Sequence, residues 1–341
     1  MKDLTKGKPS ALILSFALPI FLGNLLQLTY SLADTRIVGS FLGERSLAAV
    51  GATTTISNLI VGFLLGLANG FAIITAQKFG AGDKKRVRRS FAIALVLGVI
   101  VSAILILIGT VFINPILRFL NVPGKLFIEA KQYILIIIIG LWVTMFYDIL
   151  MAVMRAIGDT LTPLLILAIS VGLNIVLDLL FVAVWKTGTW GAAAATVLAQ
   201  FIALVICCFY MIHKYELLRL NKNDFKDLES KMIKEMLATG MSMGFMSSRV
   251  NIGSLTLQTA INKLGQEIIV AHTAARKITE IYMIMFSVFG QTMATFCGQN
   301  MGAGKVDRIK KGMKLAIIYT CVWSTFAMIV SYTIGPQLVH M

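Results

Sequence analysis

Long apolar stretches alternate with short polar gaps along almost the whole chain. The stretches lie near residues 11–36, 47–76, 91–117, 130–154, 162–185, 189–212, 235–262, 267–299 and 314–335. A helix of about 20 apolar residues crosses the roughly 30 Å hydrocarbon core of a bilayer. The pattern therefore predicts an all-α polytopic membrane protein with nine transmembrane helices.

Composition supports this class and changes the meaning of the charge. Apolar residues make up 57% of the chain and charged residues 14%, and the mean hydropathy is +0.84. A net charge of +15 would suggest a nucleic acid partner for a soluble chain, but most basic residues here lie in the gaps between apolar stretches. Most of the 31 lysines and arginines lie on the side of the amino terminus. We therefore expect no nucleic acid partner, and a multi-pass protein of the plasma membrane with a cytoplasmic amino terminus.

Residues 42–89 recur near the other end of the chain at a constant offset of 222 residues. Gln77 and Gly80-Ala81-Gly82 match Gln299 and Gly302-Ala303-Gly304, and a basic cluster follows each motif. A membrane protein built from two such modules is typically a transporter whose pathway lies between them. Because six predicted helices precede the second module, both modules have the same orientation and are not inverted.

The one long polar stretch divides the chain into two lobes. We predict an N-terminal six-helix lobe at residues 1–212, a cytoplasmic linker at 213–234 and a C-terminal lobe at 235–341. By the repeat offset, residue 341 corresponds to residue 119, so the C-terminal lobe is expected to hold three helices only. The expected fold is one complete six-helix bundle and half of a second in parallel topology.

Three acidic residues lie inside apolar stretches of the first lobe, where a charge costs on the order of a few kcal/mol. They are Asp34, Asp148 and Asp178, and Asn174 shares a helix face with Asp178. Carboxylates that converge with an amide form an oxygen-rich site for Na⁺ or a shared proton. The alternative is that they lie near helix ends and reach water or headgroups. Pro19 is a candidate hinge, with a static kink as the alternative.

The second lobe offers weaker candidates. Arg249 and Gln258 are candidate lining residues of a substrate cavity, where Arg249 would attract an anionic group. Arg276 and Glu280 have the spacing of an ion pair on one helix face. The cysteines lie in apolar stretches without metal-ligand spacing and are expected to pack. The sequence carries no enzyme motif, so we expect no enzymatic activity and no cofactor beyond a coupling ion.

A series of ordered motifs resembles the multidrug and toxic compound extrusion (MATE) family. The motifs are Asp34-Thr35 with Val38-Gly39, Leu47-Ala48-Ala49-Val50-Gly51, Gln77 with Gly80-Ala81-Gly82, Arg155-Ala156-Ile157-Gly158-Asp159-Thr160 with Pro163, Asn174 with Asp178, Gly191 with Ala195-Thr196, and Gln299-Asn300 with Gly302-Ala303-Gly304. Together they span essentially the whole chain. The resemblance implies two six-helix lobes in a V, and export of organic, often cationic, compounds by antiport with H⁺ or Na⁺.

The resemblance also implies an ion-coupling site in the first lobe. Matched by motif, the coupling residues of the family fall on Asp34, Asp148, Asn174, Asp178 and Thr196. If Na⁺ is the ion, Asp34, Asn174 and Asp178 would bind it. Asp148 departs from the Asn expected at its position, and the three-helix second lobe departs from the six helices implied.

The leading hypothesis is an ion-coupled antiporter that exports organic, chiefly cationic, drugs or toxic compounds by alternating access. One alternative is a lipid or lipid-linked oligosaccharide flippase, which would need a large cationic cavity. Another is a non-transporting fragment that pairs with itself or with a complementary C-terminal chain. The expected partners are a small organic substrate and the lipid bilayer.

Overall fold

The computed structural model describes residues 2–120, 122–226, 228–261 and 266–340. Within these ranges the chain is almost entirely helical and contains no β-strand. The helices are α1 (Pro9–Gly80), α2 (Lys84–Phe119), α3 (Phe127–Ile139), α4 (Leu141–Ala156), α5 (Leu161–Asp178), α6 (Thr189–Lys214), α7 (Ser230–Ile261), α8 (Gln266–Gly302) and α9 (Val306–His340). A π-helical turn (Leu179–Val184) extends α5, and two 3-10 turns (Glu216–Leu218 and Lys222–Phe225) connect the lobes. The predicted all-α membrane architecture is confirmed.

The first two apolar stretches form two helices that meet at a glycine within the range Pro9–Gly80. α1 has 72 residues, which at 1.5 Å per residue is about 108 Å, far more than one bilayer crossing. Gly43 alone within α1 has non-helical backbone angles, with φ of 81° and ψ of 175°. A residue with a β-carbon rarely adopts a positive φ, so Gly43 provides the turn between two crossings. Helical assignment continues through Pro19 without a break.

The fourth apolar stretch is bent instead of straight. α3 and α4 meet at Gly140, and the helix axis turns there by 45°. Six of the described helices are long and apolar enough to cross a membrane, or seven if this bent pair counts as one crossing. The range Pro9–Gly80 is long enough for two crossings, one on each side of Gly43.

Glycines allow α1 to pack closely against α7 of the second lobe. A β-carbon on Gly70 would lie 2.5 Å from the Cα of Gly240. A β-carbon on Gly66 would lie 2.6 Å from the carbonyl oxygen of Met243. Small residues at such positions allow helix backbones to approach within van der Waals contact. α1 also packs against α8 and contacts α9, so the first helix of the chain contacts all three described helices of the second lobe.

The two Gly-Ala-Gly loops have the same local conformation, as a repeat requires. Gly82 and Gly304 have φ angles of 75° and 69°. Each follows the last turn of a long helix, where a left-handed glycine commonly ends an α-helix. After the first loop, Asp83 caps α2 by accepting a hydrogen bond of 3.0 Å from the backbone N–H of Arg86.

Candidate functional site

A cavity of about 270 Å³ lies among α1, α4, α5 and α6. Its polar lining comes from Asn24, Gln27, Tyr30, Thr144, Tyr147, Asp148, Arg155, Thr160, Ser170, Asn174, Thr196, Gln200 and Gln291. Gln291 of α8 is the one lining residue from the second lobe among those described. The cavity is therefore almost wholly a feature of the first lobe.

Four of the five predicted coupling residues meet at one place beside this cavity. Asp34 comes from α1, Asn174 and Asp178 from successive turns of α5, and Thr196 from α6. Asn174 is 3% exposed and Asp178 is 1% exposed. The carboxyl groups of Asp34 and Asp178 lie close enough to interact directly. Asn174 and Asp178 therefore point into the protein, whereas Asp34 is half-buried.

A hydroxyl network fixes the orientation of the Asn174 side chain. Its Nδ2 donates a hydrogen bond of 3.3 Å to Oγ1 of Thr196, and the Tyr30 hydroxyl lies 3.3 Å from the same oxygen. Thr196 in turn donates to the carbonyl oxygen of Ala192 at 3.1 Å. Because Nδ2 is engaged, Oδ1 of Asn174 is left pointing away from Thr196 and toward the interior.

Several buried oxygens at this place lack a hydrogen-bond partner. Among the described residues, neither carboxylate oxygen of Asp178 nor Oδ1 of Asn174 has one. Buried polar atoms are nearly always satisfied in proteins, so an orphaned cluster indicates a missing ligand or a functional group. Acceptor oxygens alone suit a hard cation such as Na⁺, or a proton shared between carboxylates.

The secondary structure around Asp178 is itself unusual. Asp178 is the last α-helical residue of α5, and the π-helical turn Leu179–Val184 follows directly. A π-helical turn leaves backbone groups in less regular hydrogen bonding and occurs frequently at functional sites. The turn places Asp178 at the end of the regular hydrogen-bond ladder.

Asp148, the fifth predicted coupling residue, lines the same cavity but has a different partner. Its charge interacts with that of Arg155, two helical turns later in α4. Arg155 also donates to Oδ1 of Asn69 at 3.1 Å, and Oδ2 of Asp148 has no hydrogen-bond partner among the described residues. The structure thus places a second charged group in the cavity, apart from Asp34 and Asp178.

The sequence patterns did not point to every residue of the site. Tyr30 contacts Thr196, and Tyr133 lies near Asp34 and Asp178. Thr144 of α4 donates to Oε1 of Gln200 at 2.8 Å. The seven-residue spacing of Asp148 and Arg155 was an available signal, since it puts both on one helix face. Nothing in the local pattern around Tyr133 points to the site.

Of the two weaker cavity candidates of the second lobe, only Arg249 can be placed. Arg249 is exposed and does not line the cavity. The side chain of Gln258 lies outside the described residues. Arg276 and Glu280 form the expected ion pair, at 3.5 Å.

The candidate hinge Pro19 belongs to the first lobe and lines the cavity. The break in α1 is at Gly43.

The charged ligands at this place are few. The described residues contain no group of three or more His, Cys, Asp or Glu side chains that could hold a metal ion. Asp34 and Asp178 supply two carboxylates, and the remaining oxygens come from Asn174, Thr196 and Tyr30. Such a donor set fits a monovalent cation that is bound and released, better than a permanently held divalent ion.

The chain has clear relatives among known transporters. The MatE family model matches residues 19–180 and 242–341. The probable multidrug resistance protein YpnP of Bacillus subtilis is 29% identical over 90% of this chain and 68% of its own length. The FAD transporter of Shewanella oneidensis is 24% identical over 95% of this chain and 73% of its own length. The probable multidrug resistance protein NorM of Thermotoga maritima is 26% identical over 90% of this chain and 67% of its own length.

Solved structures show the same fold. An outward-facing multidrug resistance transporter of the MATE family and MOP superfamily superposes with a TM-score of 0.91 at 23% identity, covering 99% of this chain and 75% of that one. A MOP superfamily transporter from Pyrococcus furiosus superposes with a TM-score of 0.90 at 23% identity, covering 98% and 74%. With the family match over most of the sequence, this chain belongs to the MatE family, whose members are membrane transporters and not enzymes.

Proposed function

We propose that this protein is an antiporter that exports small organic cations in exchange for H⁺ or Na⁺, by alternating access between its lobes. The observation that carries the proposal is the placement of Asp34 against Asp178, with orphaned oxygens beside a cavity. Two carboxylates held together in a poorly hydrated space repel each other unless a cation lies between them.

Coupling follows from where these groups come from. Asp34 is on α1, and Asn174 and Asp178 are on α5, so a bound ion joins two helices that repel without it. α1 also packs against α7 and α8 of the second lobe. A shift of α1 on ion binding would therefore be felt at the lobe boundary. An ion drives such a change only through its different affinities for the two states.

The cavity favours a small, positively charged substrate. Asp148 presents a carboxylate oxygen without a hydrogen-bond partner among the described residues, and Tyr147 and Tyr30 line the same space. A carboxylate together with aromatic rings is a common environment for organic cations. Arg155 offsets part of this charge, which supports weak and reversible binding.

Transport by reconstituted protein tests the proposal. The full chain would be placed in lipid vesicles, and accumulation of a fluorescent organic cation followed under an imposed proton gradient or Na⁺ gradient. We expect uptake or efflux that depends on one of the gradients and is lost in an Asp34→Asn, Asp178→Asn double variant. Asp307→Asn is the matched control, because Asp307 is exposed in the first turn of α9. Gradient-driven transport by the double variant at the wild-type rate would contradict the mechanism.

We further propose that the amino terminus and both Gly-Ala-Gly loops face the cytoplasm of the cell that carries the protein in its plasma membrane. The support is the concentration of basic residues at that end, including Lys84, Lys85 and Arg86 after the first loop. A single cysteine at position 85 in a cysteine-free protein would be labelled by an impermeant thiol reagent in inside-out vesicles only. Labelling of this cysteine in intact cells would show that the loops face the outside of the cell, opposite to the proposed topology.

We also infer that the outer face of α8 and α9 binds further membrane-spanning polypeptide, either a complementary chain or a second copy. Equivalent positions of the two repeats support this. Leu64 and Phe91 are 0% and 3% exposed, whereas Phe286 and Met313, which stand 222 residues later, are 38% and 52% exposed. The mass of the purified protein in detergent tests the inference, because a 37.2 kDa species alone would contradict it.

A further inference from the structure

Residues 2–7 form a non-helical segment of turns and bends at the end of the molecule that carries the Gly-Ala-Gly loops. We name this segment the strand, although it is not a β-strand. It contacts both lobes. The backbone N–H of Lys2 donates to the carbonyl oxygen of Gly158 in the first lobe at 2.9 Å. The backbone N–H of Leu4 donates to Oε1 of Gln299 in α8 at 2.9 Å. Leu4 is 0% exposed and packs with Phe16 and Phe296. The strand is therefore inserted between the lobes.

Gln299 connects three parts of the protein through one side chain. Its Oε1 accepts from Leu4, while its Nε2 donates to the carbonyl oxygen of Ala156 at 2.8 Å. Gln299 itself is 0% exposed. A buried amide with both ends satisfied fixes its neighbours in position, and removal of either partner leaves a costly orphan.

Basic and amide side chains of the second lobe bind the carbonyl oxygens of the strand. Arg308 donates to Leu4 at 3.1 Å and to Gly7 at 2.9 Å. Lys305 donates to the carbonyl oxygen of Thr5 at 2.9 Å, and Asn300 donates to that of Leu4 at 3.2 Å. Hydrogen bonds from charged donors are stronger than those between neutral groups. The carbonyl oxygens of residues 4, 5 and 7 thus all have partners in the second lobe.

This binding site is not simply inherited from the repeat. Asn300 and Lys305 stand where the first module has Lys78 and Asp83. Arg86 is the repeat counterpart of Arg308, but it pairs with Glu229 at 3.4 Å instead of binding the strand. The second loop therefore differs from the first at positions that contact residues 2–7.

The strand contacts the turn that follows α4, next to residues that line the cavity. Gly158 has a φ of +87°, and a β-carbon there would lie 1.9 Å from the carbonyl oxygen of Lys2. The turn that holds Gly158 also carries Arg155 and Thr160, which line the cavity. An opening of the cavity at this end would therefore have to displace the strand from Gly158 or from Gln299.

We propose that residues 2–7 are a releasable seal on the loop side of the transport cavity. The strand is bound in the state described, and its release from the second lobe accompanies opening of the cavity to that side. The proposal rests on alternating access as proposed above, but the contacts that it invokes are independent of the ion and the substrate.

Thiol accessibility tests the seal without any transport measurement. In a cysteine-free protein carrying Ser170→Cys, which lines the cavity, the labelling rate by an impermeant maleimide would be measured in inside-out and in right-side-out vesicles. Arg308→Gln should raise labelling from the loop side by about tenfold, since it removes charged hydrogen bonds that hold the strand. Arg86→Gln, the repeat counterpart, should leave labelling unchanged. Equal labelling in Arg308→Gln and wild type would overturn the proposal.

A locked strand provides the reverse test and guards against a folding defect. In the cysteine-free protein, Ser170→Ala takes the place of the reporter Ser170→Cys, and Thr5→Cys and Lys305→Cys are added. Joining these two cysteines with a short bifunctional thiol reagent should stop organic cation transport. If the reagent is cleavable, transport should recover on reduction. Undiminished transport in the cross-linked protein would contradict a releasable seal. If Arg308→Gln opens the loop side but no variant transports cations, the seal stands and the proposed function fails.

Discussion

Gly80 of α1 lies directly against the carbonyl oxygen of Gln299 in α8, so that a β-carbon at position 80 would be 1.9 Å from that oxygen. The contact is reciprocal, because a β-carbon on Gly302 would lie 1.8 Å from the carbonyl oxygen of Gln77. These four residues are related by the repeat offset. The two lobes therefore meet at the loop end through a pair of equivalent backbone contacts.

This contact predicts that Gly80→Ala prevents full closure at the loop end. The added methyl group cannot fit against backbone, so the state with the lobes apart should be favoured. We expect faster labelling of a cavity cysteine from the loop side and slower transport. Gly51→Ala is the matched control, because a β-carbon there meets no atom within 4 Å and Ala favours a helix by about 0.5–1 kcal/mol. Unaltered labelling in Gly80→Ala would argue against closure at this contact.

A second prediction concerns Asp159, in the turn between α4 and α5. Burial raises the pKa of Asp159, but hydrogen bonds from Tyr215 and Thr162 and the charge of Lys214 outweigh it and bring the pKa to about 2. Since the unfolded-state pKa is about 3.9, the ionised form stabilises the fold. Asp159→Asn should lower stability by about 1–3 kcal/mol at pH 7, the usual effect of a lost charged hydrogen-bond acceptor.

The sign of the pH dependence follows from the lowered pKa. The stabilisation by Asp159 is complete above about pH 4 and is lost as the pH falls toward about 2. The difference in melting temperature between wild type and Asp159→Asn, measured in detergent from pH 7 to pH 3, should therefore narrow only below about pH 4. A gap that narrows already between pH 7 and pH 5 would assign the effect to another group. Asp307→Asn serves as the exposed control.

Asp148 and Arg155 should behave as a coupled pair. Each is a charge inside the cavity whose field stabilises the other. Asp148→Asn or Arg155→Gln alone should destabilise the protein by less than the roughly 3–5 kcal/mol of a fully buried pair, because both side chains border the cavity. The double variant should be less destabilised than the sum of the single variants. Strict additivity of the melting temperatures would show that the two charges are independent.

Thr196 is expected to affect ion binding more than the maximal transport rate. Its hydroxyl accepts from Asn174 and so aims Oδ1 of Asn174 into the interior. Thr196→Val removes that acceptor, and a supporting residue of a cation site typically contributes about 10-fold or more in affinity. We expect the ion concentration for half-maximal transport to rise by about tenfold. Thr144→Val, which loses a hydroxyl bonded to Gln200 in the same cavity, should leave it unchanged.

Sequence patterns predicted the apolar crossings well but not the bend inside one of them. Span length is set by bilayer thickness, so apolar stretches can be recognised from composition alone. The two helices within α1 meet at Gly43, which lies in the predicted gap between the first two stretches. Gly140, in contrast, lies inside a predicted crossing and bends it into α3 and α4.

The sequence by itself determined the membrane class, the duplicated module and the residues Asp34, Asn174, Asp178 and Thr196 as candidates, because hydropathy, repeat offset and motif order are properties of the linear chain. Only the tertiary structure decided that Asp34 of α1 and Asp178 of α5 lie together while Asp148 of α4 lines the cavity apart from them. The packing of α4 against α1 and α5 sets the distance between Asp148 and the other two carboxylates. Likewise, residues 2–7 meet Gln299 and Arg308 only because folding brings together segments about 300 residues apart.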